Sequence, residues 1–296
     1  MIKEIIDKLV ALLAVSALLA SCSESELWQN PQTEARDGYI MLNFKTEIPA
    51  MQEVVTRAVD PDGGGVQDMT LFCFDSYGLF ISTVKAGVTV QKPGPGEMEG
   101  TFKAEVPENT RTIHFLANQN MDEFKEDSFR NKSESEVMAV LEGSSGRMIY
   151  WGRFACDAGN DSNIAEQMAT SGNSVKLIRN HARISVDNPD NNGHIVITGF
   201  AVCNTNAFGT VAPHHPKKGF DFTWPSSDDP FVTLPVNDAK MSDITDVTSS
   251  MNQYVFECEN SADAPVSVIL RGHLPDQDEE KYYRVLLVDD KGEQLL

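Results

Sequence analysis

Met69-Thr70-Leu71-Phe72-Cys73-Phe74, then Asp75-Ser76-Tyr77-Gly78, then Leu79 to Val84 is the stretch on which the fold turns. A run with almost no polar face is what a strand requires when both faces of its sheet are covered. Asp, Ser and Gly in the next four positions are turn formers, Asp by bonding its own backbone and Gly by accepting a positive φ. The apolar return from Leu79 closes a hairpin. Upstream, Ile40, Leu42 and Phe44 alternate with Met41, Asn43 and Lys45, the period of a strand with one apolar face. Downstream, Thr101–Val106 and Thr112–Ala117 are further strands, and Lys92-Pro93-Gly94-Pro95-Gly96 marks a loop before them.

One segment departs from period two. Ser133 precedes Glu136 by the capping-box interval, and Val137, Val140 and Leu141 follow at helical spacing, so a short helix is expected from Ser133 to Glu142. Gly159 to Asn173 is rich in Gly, Ser, Asn and Asp and reads as the boundary between two domains. Beyond it, strands are expected at Val175–Val186, His194–Cys203, Tyr254–Cys258, Val266–Leu270 and Tyr282–Val288, with Phe208–Met241 as a long irregular excursion. Short strands punctuated by turns give the fold class as all-β. The expected architecture is two tandem Greek-key β-sandwich domains with one short helix, over residues 38–165 and 174–296.

A chain of 296 residues is ample for two such cores. Its 44 acidic and 24 basic residues leave a net charge of −20, which repels phosphate backbones and argues against nucleic acid as a partner. The apolar run Leu9–Leu19 is short of the roughly 20 residues that span a bilayer as a helix, and has the length of a signal-peptide core. Leu19-Ala20-Ser21-Cys22 follows it and resembles the lipobox of bacterial lipoproteins. Residues 1–21 are therefore expected to be a signal peptide, cut between Ser21 and Cys22, with the Cys22 thiol carrying a diacylglyceryl anchor and palmitate-type chains. Glu4 and Asp7 make the leader less basic than is usual. Residues 22–37 read as a polar tether. Their opening Ser23-Glu24-Ser25-Glu26 resembles the surface-export signal of Bacteroidales lipoproteins, which places the expected location at the outer membrane, facing outward.

The sequence carries no HExxH, GxSxG, Walker loop or GxGxxG. Gly143-Ser144-Ser145-Gly146 has the wrong spacing for a nucleophile elbow and reads as a turn. Asp60-Pro61-Asp62-Gly63-Gly64-Gly65 opens like a calcium loop, but its twelfth position is Leu71, not a bidentate Glu. Asp276 to Glu280 reads as a solvated acidic loop. His214-His215 lacks a third ligand nearby in sequence, and Cys73, Cys156, Cys203 and Cys258 form no CxxC pair. Outside the cytoplasm those four cysteines have three possible pairings, or stay as buried thiols. Trp151 and Trp224 are aromatic candidates for stacking on sugar, core packing being the default for Trp. No enzyme activity, metal or cofactor is expected.

Several segments, in order, resemble the fimbrillins, the subunits of Bacteroidales type V pili, together with related fimbrial tip and anchor lipoproteins. They are the lipobox, Tyr39-Ile40-Met41-Leu42-Asn43-Phe44, Thr56-Arg57-Ala58, the Met69–Asp75 run with Gly78, Ile113-His114-Phe115-Leu116-Ala117-Asn118, and Val175–Val186. The resemblance implies an outer-membrane lipoprotein precursor, cut after an Arg to remove an N-terminal strand. The emptied groove then accepts a strand from another fimbrial subunit. Carried onto this sequence, the removed strand is Tyr39–Thr46 and the cut falls between Arg57 and Ala58, with Arg36 as a competing position. A host or glycan receptor is the further partner this role allows. The turn Asp290-Lys291-Gly292 is followed only by Glu293-Gln294-Leu295-Leu296. The C-terminal sandwich thus reads either as truncated or as that of a tip or anchor protein that donates no strand. The alternative from another class is a surface glycan-binding lipoprotein of a nutrient-uptake system.

Overall fold

In the computed structural model, which describes residues 35–47, 66–93, 98–144, 148–186, 195–206, 208–215, 218–222, 239–240, 252–256 and 265–288, the chain is built from β-strands. The first half runs β1 (Tyr39–Glu47), β2 (Met69–Phe74), β3 (Phe80–Lys85), β4 (Gly87–Pro93), β5 (Met98–Pro107), β6 (Thr112–Ala117), α1 (Glu134–Met138), β7 (Glu142–Ser144), β8 (Tyr150–Ala155), α2 (Ile164–Thr170), β9 (Ser174–Lys176) and β10 (Ile178–Arg179). Two sheets face each other, one ordered β4-β5-β1-β9 and the other β10-β8-β6-β2-β3. Leu42, Phe44, Phe102, Leu71, Ile113 and Phe115 meet between them at 0–1% exposure.

β2 and β6 are buried at every residue, as a run apolar on both faces requires. Leu71 and Cys73 face the inter-sheet core, while Phe72, Phe74, Leu116 and Trp151 face outward. The outward side chains are covered by Val137, Met138 and Leu141 and, from the second half, by Val211 and Ala212. The β2–β3 turn is held by Asp75, whose Oδ1 accepts from the backbone N–H of Tyr77 and of Leu79 at 2.8 and 2.9 Å, with Gly78 at φ +71°. The free edge of β3 is closed by a surface loop. Glu126 accepts from the Thr83 N–H at 3.1 Å, and Phe80 donates to the Lys132 carbonyl at 2.8 Å.

The structure corrects three expectations. The capping box on Ser133 and Glu136 is present, but the helix ends at Met138, and residues 142–144 form β7. Residues 142–144 pair instead with β14 (Phe208–Thr210), which leaves Val140 exposed and Leu141 buried. Residues 159–173 contain a second helix, α2, under a capping box on Asn163 and Glu166, which sets Ile164, Ala165 and Met168 into the first core. The expected long strand 175–186 is three pieces. β9 joins the first sheet, β10 the second, and β11 (Ala182–Ser185) pairs in the second half, so the chain turns the corner of the sandwich between Lys176 and Ile178, with Val175 and Leu177 both in the first core.

The second half continues with β12 (Val196–Cys203), β13 (Thr205–Asn206), β14, β15 (His214–His215), β16 (Gly219–Phe220), β17 (Ala239–Lys240), β18 (Asn252–Val255), β19 (Ser267–His273) and β20 (Lys281–Leu286). A three-stranded sheet β12-β19-β20 and the pair β11-β18 enclose Phe200, Val202, Val266 and Val268, with Ile184 and Val255 against them. Part of the expected irregular excursion is ordered: β14 and the β15–β16 hairpin return to the outer face of the first sandwich. Among the described residues no helix is long and apolar enough to cross a membrane.

Candidate functional site

β1 occupies an interior position in its sheet. It runs antiparallel to β5 from Tyr39 opposite Pro107 to Thr46 opposite Gly100, and parallel to β9 from Lys45 to Glu47. Its alternation turns Ile40, Leu42, Phe44 and Thr46 inward at 7, 1, 0 and 0% exposure. Phe44 stacks on Phe102 with ring centroids 5.5 Å apart and meets Phe115 edge-on at 5.0 Å. Burying Ile40, Leu42 and Phe44 at about 1.5–3 kcal/mol each amounts to roughly 5–9 kcal/mol, an upper estimate. Domain stabilities are about 5–15 kcal/mol, so a first sandwich with this seat left empty would lose most of its margin.

Both ends of β1 are pinned beyond the ladder. At the start, Arg36 Nε bonds Glu105 Oε2 at 2.7 Å, its guanidinium lies 4.2 Å from the Tyr39 ring centroid, and the Tyr39 N–H donates to the Arg36 carbonyl at 3.0 Å. At the finish, Ser174 Oγ donates to Glu47 Oε1 at 2.6 Å and the Leu177 N–H to the Glu47 carbonyl at 2.8 Å. Arg36, the competing cut position, therefore sits in a hydrogen-bonded turn at the head of β1, its side chain tied to Glu105 of β5. Cys22, Ser21, Arg57, Ala58, Cys258 and Trp224 lie outside the described residues.

Other residues singled out in the sequence take structural places. Trp151 is 1% exposed and packs in the core, not on a sugar-facing surface. Cys73, Cys156 and Cys203 are free thiols, and burial pushes the Cys73 thiol up to about 12, far from a reactive thiolate. His214 meets Phe220 edge-on at 4.9 Å. Among the described residues no group of His, Cys, Asp or Glu is arranged to hold a metal ion.

A polar box on the outer face of the five-stranded sheet had no counterpart in the sequence reading. Glu134 of α1 receives Arg153 on both oxygens, at 2.7 and 3.1 Å, and lies 2.7 Å from His114 Nε2, while Trp151 Nε1 donates to His114 Nδ1 at 3.0 Å. Burial pushes the Glu134 carboxyl up, but the hydrogen bonds and charges of His114 and Arg153 outweigh it and hold the group at about 2. Burial also dominates at His114 and pushes its ring below the usual value, against the opposing pull of Glu134.

No family model matches the chain, nor does any curated protein. Among solved structures it is similar to a candidate cell adhesion protein from Parabacteroides distasonis, at 13% identity and TM-score 0.49, over 83% of this chain and 80% of that one. A candidate cell adhesion protein from Bacteroides eggerthii matches at 11% identity and TM-score 0.44, over 89% and 84% of the two chains. The fimbrial anchor protein Mfa2 from Porphyromonas gingivalis matches at 13% identity and TM-score 0.32, over 83% and 82%. At such scores these likenesses carry no function across. The chain's own strands and sheets define an all-β protein of sandwich build.

Proposed function

We propose that this chain is a surface fimbrial (pilus) subunit, or an accessory tip or anchor lipoprotein, that assembles by β-strand addition with β1 as the place-holder strand. The seat of β1 is the observation that carries the reading. β1 lies between β5 and β9, supplies the inward face of one layer, and is joined onward through the connection 48–68. The sequence between β1 and β2 holds Arg57-Ala58 and the Gly-rich Asp60–Gly65 stretch. Cleavage after Arg57 makes β1 a separate piece. Its departure would leave two unpaired strand edges and an open apolar groove, which a strand of like alternation from another subunit refills. The order of fimbrillin-like segments supports the same reading, and a lipid on Cys22 would hold the precursor at the outer membrane until the cut. The glycan-binding alternative draws no support from Trp151, whose ring is buried.

Arg57→Ala tests this in the native envelope. The variant should keep β1 tied and abolish the SDS-resistant ladders expected of strand-exchanged polymers in unheated samples. Ladders of unchanged intensity from R57A would overturn the proposed cut.

A further inference from the structure

His114, in the middle of β6, is fully buried and takes no part in the β1 seat. Both ring nitrogens are committed, Nδ1 to the Trp151 indole N–H and Nε2 to the Glu134 carboxylate. An indole N–H only donates and a carboxylate only accepts, so the ring is the neutral tautomer with its proton on Nε2. The charged groups that act on it are Glu134 from α1 and Arg153 from β8. β2 brings Phe74 at 5.3 Å between centroids, and the segment leaving the β15–β16 hairpin brings Phe222, edge-on at 4.7 Å and 89°; neither is ionisable. Phe222 also lies 5.7 Å from the Arg153 guanidinium and stacks on Phe220 at 5.7 Å, so it forms the lid of the box. His214 of the neighbouring β15 meets Phe220 instead.

A proton on Nδ1 would set two N–H groups against each other where Trp151 now donates. It would also place a second cation beside Arg153, with Glu134 shared between them. His114 itself is fully buried, so that cation is costly there, and moving Phe222 aside exposes its ring to the water that already reaches Glu134 and Arg153. We propose that residues 219–222 form a strap that closes only over a neutral His114, so that acidification opens it and bares the part of the outer face around His114 and Trp151. The proton binds the open form better than the closed one. The opening equilibrium therefore rises about tenfold per pH unit over the range in which the open form takes the proton and the closed form does not.

Hydrogen exchange on the intact chain between about pH 7.5 and pH 5, corrected for the intrinsic pH dependence of exchange, reads this directly. Protection of the Phe220 and Asp221 amides should fall about tenfold per pH unit on acidification and stay well below that of Phe72 in β2, which exchanges only on wider unfolding. His114→Gln, whose amide donates to Glu134 but does not titrate, should remove the pH dependence. Phe222→Ala should loosen the strap at neutral pH and move the His114 titration, followed by ring nitrogen shifts, to higher pH. Strap protection that ignores pH in the wild type overturns the proposal. So does a pH dependence that survives in H114Q, which would assign the response to another titrating group, or a His114 titration unmoved in F222A.

Discussion

Gly152 sits where the polypeptide passes from one sheet to the other, and a Cβ there would lie 2.6 Å from the Lys176 carbonyl oxygen and 2.8 Å from Leu177 Cδ2. Lys176 is held by β1 on one side, and Ile178 by Trp151 of β8 on the other, so the backbone has no room to retreat. Gly152→Ala should cost about 1–3 kcal/mol in urea unfolding. At Glu134 the issue is charge. Glu134→Gln leaves Arg153 facing a weaker acceptor and should cost about 2–3 kcal/mol. That is below the ~3–5 of a fully buried pair, because Arg153 is 25% exposed. The pH dependence has a definite sign. Below about 6.5 the unfolded chain binds a proton at His114 that the folded chain refuses, and between 4.5 and about 2 it does so at Glu134. Both contributions are fully present at neutral pH and are lost on acidification, His114 first. A melting series from pH 7 to pH 3 should show a steady fall, with the limb below 4.5 flattened in E134Q.

Among the elements, β1 joins sequence to function most directly. Phe44→Ala, in the inward row, should cost about 3–5 kcal/mol, whereas Lys45→Ala, on the exposed side, should stay within about 0.5 kcal/mol. Equal losses would mean that β1 does not seat as described. Its inward face was legible because alternation is a local property, and β2 and β6 were legible because a strand apolar on both faces has few other places to go. The Ser133 cap was legible for the same local reason. α2 was not, since Asn163 and Glu166 cap only a short apolar set inside a Gly- and Asn-rich stretch. The break of 174–185 into three strands follows from closing a sandwich corner, which no window along the chain records. Nor could sequence show β5 and β9 flanking β1. The polar box is less legible still: His114 is 20 residues from Glu134 and 37 from Trp151, and sheet register and the seating of α1 bring them together.

At the scale of the whole molecule, a strand essential to one core also lies next to the sequence where the chain is proposed to be cut. After Arg57 the sequence holds 36 acidic and 19 basic residues, a net charge of −17 that resists the approach of its own copies, so joining of cleaved subunits should speed up as salt screens that repulsion. A rate that falls with added salt would point to an attractive charged contact instead. The strap over His114 adds a second link, between the C-terminal half and the outer face of the first sandwich, away from the β1 groove. The exchange of β1 remains the central claim. Its most direct test is the intact mass and N-terminal peptide of copies recovered from SDS-resistant assemblies on the cell surface. The account predicts a chain beginning at Ala58, with residues 39–47 gone. Assembled copies that all begin at a lipidated Cys22, with the first strand still attached, would contradict it.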